Sequence, residues 1–142
     1  MKNLDHLTPL TTDILGCAFE VRKYIGKGFR ENFYEKALGY ELSRLGYHVE
    51  HQVPISAMYK GIEIDNAYKV DIIVENKILI EVKAKSETIP EHIRQLTTYM
   101  QLGTYDLGYL MNFGANDFSV GRTLDIDKDK GIFRIIRSER RR

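Results

Sequence analysis

The chain of 142 residues lacks the features that mark several common classes of protein. Cys17 is the only cysteine, which excludes an internal disulfide, and a small core side chain is its expected role. No apolar run approaches the roughly 20 residues that a membrane-spanning helix needs. The first residues also lack the apolar stretch of a secretory signal. These absences predict a cytoplasmic protein with no membrane contact.

A bias in net charge is absent too, since 21 lysines and arginines stand against 20 aspartates and glutamates. Composition therefore names no partner, and a nucleic-acid-binding protein of this kind needs its basic residues on one face. No internal repeat, low-complexity stretch or proline-rich linker divides the sequence. A single domain over residues 1–142 is the prediction, because the length suits one hydrophobic core.

Three segments carry apolar residues at helical spacing: about Leu7–Tyr24, Glu31–Leu45 and Glu91–Leu102. Thr11 or Thr12 is expected to cap the first helix. Gly46 is expected to end the second helix, and Pro90 stands just before the third. Helices of this kind need a partner layer against which their apolar stripes are buried.

Segments rich in branched and aromatic residues predict the strands of that layer. They lie at Val49–Ile55, Tyr68–Val74, Ile78–Ala84, Leu107–Phe113 and Gly131–Arg137, with a further short strand at Tyr59–Ile64 around Gly61. Asn116 and Asp117 mark a loop. The resulting order, α-α-β-β-β-α-β-β, predicts an α/β or α+β domain with helices against a central sheet.

The two central strands form a predicted hairpin whose register decides which side chains meet. A register centred on Asn76 pairs Ile72 with Ile80 and Asp71 with Glu81. Shifted registers that keep the apolar residues on one face stay open. In the centred register the two carboxylates lie roughly 5 Å apart at their Cβ atoms.

Two carboxylates directly opposite each other repel, and a divalent cation is the simplest compensation. Lys83 lies on the same face as Glu81 and suits a role beside a phosphate. One metal, two acids and one lysine fit phosphodiester hydrolysis. The alternative is a solvent-facing strand with alternating charges, which this hairpin matches equally well.

Polar side chains on two helices add to this set. Glu35, four residues after Glu31, adjoins an apolar stripe, where a carboxylate needs a partner or a metal. Alternatively, Glu35 sits at the edge of the stripe and reaches water. Gln95 and Tyr99 are four residues apart on the third helix, and His92 lies one turn earlier. Their alternative role is that of ordinary boundary residues.

The combination of Asp71 with Glu81, Val82 and Lys83 resembles the PD-(D/E)XK nuclease superfamily. The segment from Gly28 to Tyr34 is also similar to the motif of the GxxExxY proteins, a narrower set within it. The likeness runs from about Gly28 to Ile135, although Val70 stands where the superfamily name has proline. It implies a restriction-endonuclease-like core with a central mixed sheet flanked by helices.

The resemblance also implies roles for particular residues. The implied ligands of a Mg²⁺ or Mn²⁺ ion are Glu35, Asp71, Glu81 and the backbone carbonyl of Val82, with Glu31 as a substitute for Glu35. Lys83 would position the attacking water or stabilise the transition state. Gln95 would line the active site and Tyr99 would support substrate binding, as in the Gln-x-x-x-Tyr element of the RecB-like branch.

The expected activity is hydrolysis of DNA, or alternatively RNA, by metal-activated water. Lys85 and Arg94 are among the candidate phosphate contacts. A homodimer that pairs through an edge strand near the C-terminus is a further expectation, and so is an unidentified protein partner. The alternative function is a catalytically silent binding module that has kept the fold. Hydrolysis of another phosphorylated substrate is a third.

Overall fold

The structure, a computed structural model, describes residues 3–138. Its helices are α1 (Thr8–Ile25), α2 (Glu31–Arg44) and α3 (Pro90–Gly103), with a 3-10 turn at Asp5–Leu7 before α1. Its strands are β1 (Val49–Tyr59), β2 (Ile62–Val74), β3 (Ile78–Lys83), β4 (Leu107–Asn112), β5 (Asp117–Gly121) and β6 (Lys130–Ile136). Among these residues, no helix combines the length and apolar character needed to cross a membrane.

The strands form one six-stranded sheet in the order β1-β2-β3-β4-β6-β5. Strands β3 and β4 are parallel, and α3 connects them. Strand β2 pairs antiparallel with both β1 and β3. Strand β4 pairs antiparallel with β6, and β5 pairs parallel with β6. The predicted central mixed sheet flanked by helices is therefore confirmed.

Helices cover both faces of the sheet. Helices α1 and α2 pack on one face, where the alternate residues Ile72 and Val74 of β2 meet Ile80 and Val82 of β3. Helix α3 packs on the other face. The predicted face of the hairpin is confirmed, and so is its centred register, because Ile72 pairs with Ile80.

The stripe of α2 fixes how this helix sits on the sheet. Tyr34, Leu38 and Leu42, four residues apart, are fully buried in the first core. Burial of each such side chain contributes about 1.5–3 kcal/mol. Leu45, predicted to be the last residue of this helix, instead follows it and is exposed. Gly46 then takes the left-handed conformation (φ +92°) and ends the helix as predicted.

The first two strands are joined by a tight turn where the sequence predicts a separate strand. Lys60 and Gly61 both have positive φ, +48° and +82°. Two such residues form the turn that suits the twist of a two-residue hairpin. The predicted strand Tyr59–Ile64 is therefore wrong, because Gly61 lies in this turn and the strands on either side run on to meet it.

Strand β5 occupies the region that was predicted to be a loop. Asp117 begins this strand, and its carboxylate accepts a hydrogen bond from Lys130 of β6 at 2.7 Å. Pairing with β6 therefore overrides the turn-forming tendency of Asn116 and Asp117. As a result β6 is not a sheet edge, and β5 forms the edge strand nearest the C-terminus.

The start of α1 also differs from the sequence prediction. The helix begins at Thr8, with Pro9 in its first turn, and no side chain caps it. Thr11 lies inside this first turn, and its hydroxyl donates to the backbone oxygen of Thr8 at 3.1 Å. The predicted cap at Thr11 or Thr12 is wrong, because the helix begins before either residue, at Thr8. Pro9 fits in the first turn, where backbone N–H groups have no partner within the helix.

Candidate active site

The candidate site lies where β2 and β3 part. The two strands are paired as far as Ile72 and Ile80, and at the next position side-chain hydrogen bonds replace the pairing of the backbones. The backbone N–H of Asp71 donates to Glu81 Oε1 at 2.9 Å. The backbone N–H of Val82 donates to Asp71 Oδ2 at 2.8 Å. Each carboxylate thus satisfies a backbone donor of the opposite strand, which holds both acids at the opening.

Glu81 is the most deeply placed of these acids, with 3% of its surface exposed. Its pKa is raised to about 8, first by burial and then by the nearby charge of Asp71, with a smaller contribution from Glu35, whereas the Asp71 N–H and Lys83 act in the opposite direction. The repulsion expected between opposed carboxylates is therefore present. A bound cation is the kind of group that would relieve it.

Glu35 approaches the same opening from α2. It is 7% exposed, so the alternative in which it reaches water is wrong. Its Oε2 lies 2.8 Å from Nδ1 of His51, and its Oε1 accepts a hydrogen bond from Gln52 at 2.8 Å. The buried carboxylate is thus satisfied by two side chains of β1.

Gln52 links the acid on the helix to the acid on the strand. The nitrogen that donates to Glu35 also donates to Asp71 Oδ1, at 3.0 Å. Sequence reasoning missed both Gln52 and His51. The available signal is a run of polar residues, Glu50–Gln52, inside a strand. The pairing of β1 with β2 brings that run to Asp71, which lies 19 residues further along the chain than Gln52.

Lys83 is the last residue of β3 and is partly exposed. Within the part of the chain that the structure describes, its ammonium forms no ion pair, although its charge lowers the pKa of Glu81 and of His92. The pKa of His92 is lowered first by burial, then by Lys83 and Lys85. Lys83 is therefore close enough to act on both Glu81 and His92, whereas Lys85 acts on His92.

The third helix brings its polar pair to the same place. Gln95 donates to the hydroxyl of Tyr99 at 2.8 Å. Tyr99 is buried, and its pKa is raised by that burial and by the charge of Glu81. Gln95 is exposed, so its amide lies at the mouth of the site while Tyr99 forms part of its wall.

Among the described residues, neither Arg94 nor Lys85, the two predicted phosphate contacts, forms a hydrogen bond or ion pair with the acids. Arg94 is exposed on α3, where its guanidinium pairs with Glu91 at 2.7 Å. Lys85 is an exposed residue of the segment after β3. Val82 meets the acids through its backbone N–H, which donates to Asp71. The structure thus gathers Glu35, Asp71, Glu81, Lys83 and Tyr99 more closely than these flanking residues.

Asn112 holds the segment that follows Lys83. It is fully buried at the end of β4, where it is the register partner of Lys83. Its Oδ1 accepts the backbone N–H of Lys85 at 2.9 Å, and its Nδ2 donates to Thr88 at 3.1 Å. This amide therefore fixes the path from the end of β3 to the start of α3, another position that sequence reasoning missed.

The segment Gly28–Tyr34 serves the fold of the loop before α2. The hydroxyl of Tyr34 donates to the backbone oxygen of Gly26 at 2.6 Å and accepts the N–H of Phe29 at 3.3 Å. Its ring stacks on Phe113, with centroids 4.8 Å apart. Gly28 takes a left-handed conformation (φ +99°) that favours glycine. These contacts anchor the first turn of α2 and so help to place Glu35.

The donor chemistry of the site suits a hard divalent cation, since carboxylate oxygens are its preferred ligands. Among residues 3–138, however, no group of three His, Cys, Asp or Glu stands at distances that would hold a metal. The amide of Gln52 lies between Glu35 and Asp71. The residue types therefore fit a metal, and the Gln52 amide is hydrogen-bonded to two of the carboxylates that would hold it.

Comparison with known proteins identifies the family. A family model described as the PD-(D/E)XK nuclease superfamily matches residues 8–123, well over half of the chain. The protein therefore belongs to the PD-(D/E)XK nuclease superfamily, whose members generally use divalent metals. The matched region contains the acids and the lysine of the candidate site. No curated protein and no solved structure gives a significant match.

Proposed function

We propose that this protein is a metal-dependent nuclease that hydrolyses phosphodiester bonds of nucleic acid, with DNA as the favoured substrate. The observation that carries the proposal is the buried Glu81 beside Asp71 and Glu35, with the ammonium of Lys83 next to them. A buried carboxyl group with a raised pKa beside two further acids is costly to ionise, and such groups are common at functional sites.

In this proposal Glu35, Asp71, Glu81 and the backbone carbonyl of Val82 hold Mg²⁺ or Mn²⁺. When bound, the ion polarises the phosphate and lowers the pKa of a water molecule. Lys83 offers its ammonium to the attacking water or to the charge that develops on the phosphate. Gln95 and Tyr99 contact the substrate at the mouth of the site, and Lys85 and Arg94 supply charge around it.

A second function, a binding module without catalysis, is favoured by one observation. Asp71 and Glu81 already satisfy backbone donors of the opposite strand, and Glu35 is bonded to Gln52 and His51. Carboxylates used in this way can serve the fold alone. Under this alternative the protein binds nucleic acid or a protein partner without metal.

The experiment that separates the two functions is cleavage of labelled single- and double-stranded DNA and RNA with Mg²⁺, Mn²⁺ or EDTA. The nuclease should cut only with metal, and Lys83→Ala should lower the rate by about 10²–10³-fold, as loss of one stabilising donor does elsewhere. Lys77→Ala, at an exposed lysine in the turn after β2, is the matched control. No cleavage and no metal binding would leave the binding module.

Three finer assignments belong to the same proposal. The motif formed by Gly28, Glu31 and Tyr34 supports membership of the GxxExxY proteins. A homodimer would use the exposed edge of β5, since an edge strand presents unpaired backbone groups to a second chain. The cytoplasmic location and an additional protein partner stay predictions from the sequence.

A further inference from the structure

Gln52 lies between two acids of the candidate site and is hydrogen-bonded to both. Its amide nitrogen donates to Glu35 Oε1 at 2.8 Å and to Asp71 Oδ1 at 3.0 Å, which uses both of its N–H groups. Among the described residues, none donates a hydrogen bond to the carbonyl oxygen of Gln52. This oxygen is therefore free to turn toward another partner.

The backbone of β1 is distorted at this residue. Gln52 has a φ of +51°, a left-handed conformation that disfavours a residue with a side chain by about 1–2 kcal/mol. His51 pairs with Ile72 and Val53 pairs with Val70, so Gln52 lies opposite Asp71 on β2. The strand thus accepts local strain at the position that places an amide between the two acids.

The orientation of an amide between two carboxylates depends on whether a cation is present. Without a cation, the N–H groups must face the oxygens, because the carbonyl oxygen would be repelled by them. With a cation between Glu35 and Asp71, the same N–H groups would face a positive charge. Rotation about the last bond of the side chain exchanges nitrogen for oxygen, and an amide oxygen is a favourable ligand of a hard cation.

We infer that Gln52 is a ligand of the cation, through the carbonyl oxygen of the amide that lies between Glu35 and Asp71. The inference rests on the proposed function. Gln52 bridges the two acids through its N–H groups, and it would turn its carbonyl oxygen toward a bound Mn²⁺ or Mg²⁺. The change that brings this oxygen toward the ion is a rotation of the end of the side chain.

The test is direct measurement of Mn²⁺ binding to the full chain, by isothermal titration calorimetry and by the electron paramagnetic resonance spectrum of bound Mn²⁺. Gln52→Leu removes the ligand and keeps the bulk, and it should weaken Mn²⁺ binding by about tenfold or more. Gln52→Glu restores an oxygen ligand, so it should bind Mn²⁺ at least as tightly as the wild type. Circular dichroism in EDTA confirms that each variant is folded.

Gln101→Leu is the matched control, because this amide of α3 donates to the backbone of Ser138 and lies outside the site. Equal Mn²⁺ affinity of wild type and Gln52→Leu would overturn this inference and leave the proposed function unaffected. Tighter binding by Gln52→Leu would overturn it as well, since the amide would then only obstruct the ion. Equal weakening in Gln52→Leu and Gln52→Glu would also overturn it, because an oxygen ligand at this position would then make no difference. A wild type that binds no Mn²⁺ would overturn the proposed function together with the inference.

Discussion

At the scale of single residues, the buried carboxyl of Glu81 links folding to pH. Its pKa is about 8 in the folded protein and 4.5 in the unfolded chain, so the folded state retains a proton that the unfolded state releases between these values. The stability of metal-free protein should therefore fall as pH rises through this window, on the order of a few kcal/mol in total. Glu81→Gln should remove that loss. Urea unfolding in EDTA between about pH 5 and pH 9 measures it.

The control for this prediction is Glu63→Gln, at an exposed glutamate of β2. It should follow the pH dependence of the wild type throughout. If wild type and Glu81→Gln lose stability in parallel between the two ends of the range, Glu81 is ionised at little cost and the electrostatic description of the site fails.

The site residues of the β2–β3 hairpin could be predicted because they are close together in sequence. Asp71, Glu81 and Lys83 come together through one three-residue turn and strict alternation along two strands, both of which are readable from sequence. Gln52 could not be predicted in the same way. Its approach to Asp71 depends on the register of β1 on β2. It also depends on the left-handed backbone conformation of Gln52, which no sequence pattern predicts.

At the scale of elements, the start of α2 depends on one hydroxyl. Tyr34 bonds Gly26 and Phe29 through its oxygen while its ring is buried against Phe113. Tyr34→Phe keeps the ring and leaves both backbone groups without that partner. The free energy of unfolding should fall by about 1–2 kcal/mol, measured by urea denaturation.

Tyr40→Phe is the matched control for this prediction, since Tyr40 is an exposed residue of the same helix. Its loss of a hydroxyl should leave stability within about 0.5 kcal/mol of the wild type. Equal stability of Tyr34→Phe and wild type would show that water replaces the hydroxyl. The loop before α2 would then be held by Gly28 and by packing alone.

The helices and strands with strong apolar periodicity could be predicted from the sequence. Those that form only because a neighbouring strand pairs with them could not. The α2 stripe and the β2–β3 hairpin bury one continuous face each, so periodicity reveals them. Strand β5 contains Asp117, Ser119 and Gly121, which disfavour strands, and it forms because β6 provides a partner. The turn at Lys60 and Gly61 was missed because a lysine with positive φ is uncommon.

At the scale of the whole molecule, function depends on where charge lies rather than on how much there is. The net charge is only +1, yet three carboxylates meet at the opening between β2 and β3. Lys83 and Lys85 stand near His92 beside them. Under the proposed function, the attraction of a phosphate to the site would therefore come from Lys83 and Lys85 rather than from the net charge of the chain.

A ligand that binds only the folded state stabilises the whole molecule, so metal binding can be measured without any substrate. Mn²⁺ at a hundredfold excess over its dissociation constant should stabilise the wild type by about 2.7 kcal/mol, seen as a rise in the melting temperature. Asp71→Asn should abolish most of this rise, because an amide replaces a charged ligand that also supports Val82. Asp65→Asn, at an exposed aspartate of β2, should keep it. An unchanged melting temperature in Mn²⁺ for the wild type, across concentrations that saturate related metal sites, would mean that the acids serve the fold, and the protein would then be a binding module of the nuclease superfamily.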